Sequence, residues 1–108
     1  MEKYNQDWNY SISKFLKLFD KLFCSTEKAR TKLVECEELF LVISAEGFAN
    51  PENRERWKFC EDSIINHIKN YGTEKYPDYR LTIQNKRIEE VLENILTIYL
   101  DLSSFDWV

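Results

Sequence analysis

Gly47, Pro51, Gly72 and Pro77 are the only glycines and prolines in a chain of 108 residues. A sandwich or barrel of many short strands turns every few residues, and tight turns depend on glycine for unusual φ values and on proline for a φ set in advance. Two of each cannot punctuate such a fold. They suffice for a few long helices with short links, so the scarcity of breakers points to an all-α chain.

The apolar residues repeat with the period of a helix. Trp8, Ile12, Phe15, Leu16, Phe19, Leu22 and Phe23 follow in helical steps, with Lys14, Lys17, Asp20 and Lys21 between them, which predicts a helix over residues 8–24. Ser25 or Thr26 can cap the next helix by accepting bonds from its free N–H groups. Ala29, Leu33, Cys36, Phe40 and Ile43 alternate in steps of four and three, predicting a helix over 27–46. Its end, Leu39-Phe40-Leu41-Val42-Ile43, is apolar all round, as expected of a segment buried on more than one side.

Asn50-Pro51-Glu52 is the cleanest start signal: a cap, a proline at the first helical position, and an acid at the positive end of the helix dipole. Trp57, Cys60, Ile64, Ile68 and Tyr71 carry that helix over 51–71, where Gly72 is expected to supply a left-handed stop. Tyr76-Pro77 reads as an extended or turn dipeptide in a linker. Ile88, Val91, Leu92, Ile95, Ile98, Tyr99 and Leu102 mark a last helix over 82–102, with Leu81-Thr82-Ile83 blurring its start. The four helices predict an antiparallel four-helix bundle, a single domain spanning 1–108. In an up-down-up-down bundle, Trp8 and Tyr10 would meet Phe105 and Trp107 at one end.

Composition limits the function. Seven Phe, six Tyr and three Trp provide large rings for one core, so the chain is expected to fold despite being 31% charged. The net charge is −4 and no basic stripe is visible, which argues against nucleic-acid binding. No apolar run approaches the roughly 20 residues of a membrane span, and the polar start lacks the apolar block of a signal peptide. A cytoplasmic protein without membrane contact is expected. Cys24, Cys36 and Cys60 form no CxxC pair and are odd in number, which fits free thiols rather than a disulfide framework or zinc site.

Residues suited to catalysis are scarce. The single histidine, His67, sits at the edge of an apolar stripe, where a structural hydrogen bond is expected. The cysteines lie on or beside apolar stripes, where a thiol is inert. A carboxylate-bridged di-metal bundle needs two Glu-x-x-His units, and two isolated glycines cannot form a phosphate loop. The expectation is a protein that is not an enzyme and has no cofactor or metal. Arg54, Arg56 and Lys58 stand among Glu52, Glu55, Glu61 and Asp62, as in a salt-bridged face.

Two features point outward. Phe59 falls opposite the stripe of Trp57 and Ile64, among Glu55, Asp62 and Asn66, so it is either covered or offered to a partner. The last helix is acidic outside: Glu89 and Glu90 have Lys86 or Arg87 within a turn, but Glu93 has no base three or four residues away, and neither does Asp101. Glu89, Glu90, Glu93, Asp101 and Phe59 are therefore the expected partner-binding residues, suited to a protein with a basic surface.

In size, acidity and helical character the chain resembles the small immunity proteins that block bacterial toxins, and also phage-encoded inhibitors of host defence. The composition, rich in Ile, Asn, Lys, Phe, Tyr and Glu, fits an AT-rich bacterial or phage coding sequence. The resemblance implies an inhibitor that neutralises a toxin by covering its active site, and it assigns no individual residue. A phage anti-defence inhibitor is the first alternative. The second is an adaptor subunit that self-associates as a homodimer through the apolar stretch Leu39 to Ile43.

Overall fold

The computed structural model describes residues 2–24 and 28–105, with side chains over 10–24 and 28–103. The order is α1 (Glu2–Phe23), α2 (Ala29–Glu35), α3 (Glu37–Val42), a 3-10 turn (Ala45–Gly47), α4 (Pro51–Ile65), β1 (Ile68–Asn70), β2 (Tyr79–Leu81) and α5 (Asn85–Phe105). The chain is mostly helical around one core. It is not the all-α, four-helix bundle that the periodicity predicts: among the described residues there are five helices, and a two-stranded antiparallel sheet joins α4 to α5.

Helices α1 and α5 form where a helix is expected, but α1 begins at Glu2 rather than at residue 8, and α5 runs over Asn85–Phe105 rather than 82–102. On α1, Leu18 is buried while Leu16 and Phe23 of the expected stripe are exposed. Phe15, Leu18 and Leu22 are buried on α1, and Ile88, Val91, Ile95 and Ile98 on α5. The two meet where Phe19 stacks on Tyr99 at 3.8 Å. At the end of α1 the buried Lys32 amine donates to the Leu22 carbonyl, placing a cation at the negative end of that helix. Trp8, Phe105 and Trp107 fall outside the described side chains, and Tyr10 is exposed.

The segment predicted as one helix over 27–46 is two. The chain hitches at Cys36, then leaves the helix after Val42 because Ile43 is extended. The reason is Trp57. Its ring is fully buried and stacks on Phe40 at 5.2 Å, and its indole N–H donates to the Ile43 carbonyl. A carbonyl already bound within a helix would be poorly placed to serve it. The turn after Ile43 then packs on α1 so closely that a Cβ on Gly47 would lie 2.4 Å from the Ser11 Cβ. Leu41 and Val42 are exposed, so this stretch is not buried on all sides.

The start of α4 follows the sequence: Asn50 accepts from the Glu52 N–H, with Pro51 in the first turn. Its end does not. The helix stops at Ile65, six residues short of the expected 71, and Ile68–Asn70 pairs in register with Tyr79–Leu81. Gly72 is no left-handed helix stop. It sits in the hairpin loop with ordinary φ, and a Cβ there would lie 2.2 Å from the Tyr76 carbonyl oxygen. Leu81-Thr82-Ile83 is likewise no helix start: Leu81 and Ile83 are buried and Thr82 is exposed, a period-two pattern that anchors the hairpin in the core.

The buried thiols behave as small apolar groups. Burial alone pushes Cys60 up to about 12, and burial is the main cause raising Cys36. Cys24 is exposed. We expect a disulfide reagent to label Cys24 in the native protein, and Cys36 and Cys60 only on the timescale of unfolding. Rapid native labelling at Cys60 would contradict the packing.

Candidate protein-binding surfaces

The residues singled out in the sequence have different surroundings. Glu89, Glu90 and Glu93 are exposed on α5, and none of them takes part in an ion pair within 4 Å among the described residues. Asp101 does different work. Its carboxylate accepts from the Asn53 amide at 2.7 Å and from Asn50 at 3.4 Å, so it ties α5 to the first turn of α4. Phe59 is half-buried, covered neither by a loop nor left bare. The Arg87 guanidinium lies 5.1 Å from its ring centre and also donates to the Ser63 hydroxyl at 2.8 Å. His67 makes the expected structural contact, with Nδ1 3.2 Å from the Asp62 carbonyl. The basic cluster is paired as anticipated, Arg56 with Glu52 and Lys58 with Glu55, while Arg54 donates to the Phe48 carbonyl.

Helical spacing through Tyr71 conceals the hairpin, which displays three tyrosines to solvent: Tyr71 at 56%, Tyr76 at 71% and Tyr79 at 57% exposure. Large rings are seldom bared in such numbers on so short a segment. The loop that bears them is fixed by side chains. Asn70 Oδ1 accepts from the N–H groups of Gly72 and Asp78, and Thr73 Oγ1 accepts from the Tyr76 N–H. The Tyr71 ring has two cations near it, with Lys69 at 5.4 Å and Arg80 at 5.5 Å, and Lys75 lies 5.7 Å from the Tyr76 ring. Arg80 in turn holds Asp78 through Nε at 3.1 Å and Nη2 at 2.7 Å. The signal was present as Tyr71-Gly72 and Tyr76-Pro77-Asp78-Tyr79, turn residues alternating with rings.

At its base the hairpin is clamped by Arg30 of α2. One guanidinium nitrogen donates to the Leu81 and Ile83 carbonyls at 2.6 and 2.8 Å, and the other to Asn85 Oδ1 at 2.7 Å. The hairpin is thus held at both ends.

The Arg80 hydrogen bond holds the Asp78 carboxyl below the usual aspartate range. The sign follows directly: a depressed folded-state value means the pairing is intact above the ordinary range and is lost as pH falls through the folded one. We expect the Tyr71 and Arg80 resonances to hold steady across neutral and mildly acid pH and to shift only below the range of a free aspartate. In Arg80→Met the Asp78 titration should move up toward that range. An unchanged titration would show that Arg80 is not its partner in solution.

Among the described residues no group of three His, Cys, Asp or Glu side chains is placed to hold a metal ion, and no helix is long and apolar enough to cross a membrane. No protein-family model, curated protein or solved structure matches the chain.

Proposed function

We propose that this protein is a binding module that inhibits a second protein by covering its working surface, in the manner of an immunity protein that neutralises a toxin. The observation that carries this reading is the pre-ordered hairpin with Tyr71, Tyr76 and Tyr79 bared. Tyrosine and arginine dominate the energetic centres of protein interfaces, because a rigid ring brings a large contact area and a polar edge at little cost in side-chain freedom. A loop already held in shape loses less entropy on docking than one that must order itself. The exposed carboxylates of Glu89, Glu90 and Glu93 add a long-range attraction for a basic surface, which raises the association rate more than the final affinity.

The test separates these two contributions. The tagged protein captures its partner from a lysate of the source cells. A Tyr71→Ala, Tyr76→Ala, Tyr79→Ala triple variant with an unchanged helical circular-dichroism spectrum is expected to lose that partner. A Glu90→Lys, Glu93→Lys variant should retain it, with slower and less salt-dependent association. Undiminished capture by the folded triple variant would overturn the assignment of the hairpin.

A further inference from the structure

The outer edge of β2 faces α2 across a cleft of about 500 Å³, within the size range of sites that hold compact ligands or short peptides. The hydrogen bonding of the hairpin determines which main-chain groups look into it. The Tyr71 N–H donates to the Asp78 carbonyl and the Thr82 N–H to the His67 carbonyl. With Lys69 opposite Arg80, the bonded pairs are 67 with 82, 69 with 80, and 71 with 78. Tyr79 and Leu81 fall in the alternate pairs and turn their N–H and C=O groups away from β1, toward α2. Arg30 demonstrates that direction, since it takes the Leu81 carbonyl from the α2 side. One strand step outward, the ladder leaves Tyr79 with both a donor and an acceptor aimed at the cleft. No turn, loop or cap bond reaches its main chain among the described residues.

We propose that this cleft takes an extended, uncharged peptide segment of a partner protein by strand addition at Tyr79. One residue offering a donor and an acceptor side by side is the complement of one residue of an extended chain, and an extended chain supplies both at the matching spacing. The charges on the walls select the kind of peptide. Arg30 and Arg80 are balanced by Glu35 and Asp78, and the two guanidinium groups already donate to carbonyls, Asn85 and Asp78. The lining therefore has no net charge to attract a charged peptide, while Val34 and Leu81 offer apolar surface for an alternate side chain. Pro77 limits how far a strand can extend toward the tip, and Arg30 limits it at the base, so the segment is short. This inference uses the backbone of Tyr79 and stands apart from the role proposed for the tyrosine rings.

The probe is a phage-displayed library of random heptapeptides panned on the immobilised full chain, with selected peptides synthesised and titrated by NMR. The expected binders are uncharged with alternating apolar residues, and they shift the amides of Tyr79, Thr31 and Val34. Tyr79→Pro removes the outward donor while sparing the bonds between β1 and β2, and should bind about tenfold more weakly or worse than the wild type. Methylating the peptide nitrogen that faces the Tyr79 carbonyl should cost a similar factor without touching the protein. Failure to select any peptide, shifts confined to other surfaces, or indifference to N-methylation at every position would overturn the proposal. Loss of the protein partner in the ring-deletion variant would not overturn it, because that variant keeps the main chain of residue 79.

Discussion

Trp57→Ala is expected to destabilise the fold by about 3–5 kcal/mol, the range for removing a large ring from a packed core. Trp57 is fully buried, with Phe15 and Phe48 at 5.9 Å and Phe40 stacked against it. Truncation removes contacts from three other rings and leaves the Ile43 carbonyl without its buried donor. A domain of this size has a total stability of roughly 5–15 kcal/mol, so the loss takes a large share of it. Urea titration followed by circular dichroism measures the effect. Trp57→Phe should fall between the two, since it restores much of the ring but not the N–H. A loss below about 1 kcal/mol in the alanine variant would mean that this ring does not organise the core.

Gly72→Ala should disrupt the hairpin loop while sparing the helices. The added methyl would sit 2.2 Å from the Tyr76 carbonyl oxygen and 2.8 Å from the Asp78 nitrogen, both main-chain atoms that cannot rotate away. The loop must open, and the Asn70 bonds to Gly72 and Asp78 stretch with it. Overpacking of this kind costs about 1–3 kcal/mol. The cost should be local: faster hydrogen exchange at Tyr71 and Asp78, with helical content nearly unchanged. If the hairpin acts as proposed, partner capture should weaken although Tyr71, Tyr76 and Tyr79 are all present. Unaltered exchange at those amides would show that the loop tolerates the methyl group.

The contrast between what was legible and what was not comes down to range. The helical periods of α1 and α5 and the Asn50-Pro51 start are local patterns legible in the sequence, although the α1 stripe misses the buried Leu18 and includes the exposed Leu16 and Phe23. The hairpin was hidden because Ile64, Ile68 and Tyr71 continue a helical spacing, so the period-3.6 pattern ran past the true end of α4. What ended the helix was non-local: pairing with a strand more than ten residues further on, and an arginine on α2 that binds the carbonyls at its base. The break after Val42 has the same character, since it answers to an indole fourteen residues away. As for the candidate site, the exposure of Glu89, Glu90 and Glu93 followed from the wheel of α5. The tying down of Asp101 and the covering of Phe59 depend on neighbouring helices and could not be read locally. In the sequence Tyr71 continues an apolar stripe and Tyr76 lies in a linker, and only the fold shows that both rings, with Tyr79, face water.

The hairpin is fastened to the helical body through Leu81, Ile83 and the Arg30 clamp, while residues 69–80 add no buried side chain. Evolution can therefore rewrite much of this segment, provided Asn70, Gly72 and Thr73 still hold the loop, without disturbing the frame that carries it. A lineage of such chains would keep the helices nearly fixed and diverge fastest at the tip, changing what it recognises while retaining how it folds.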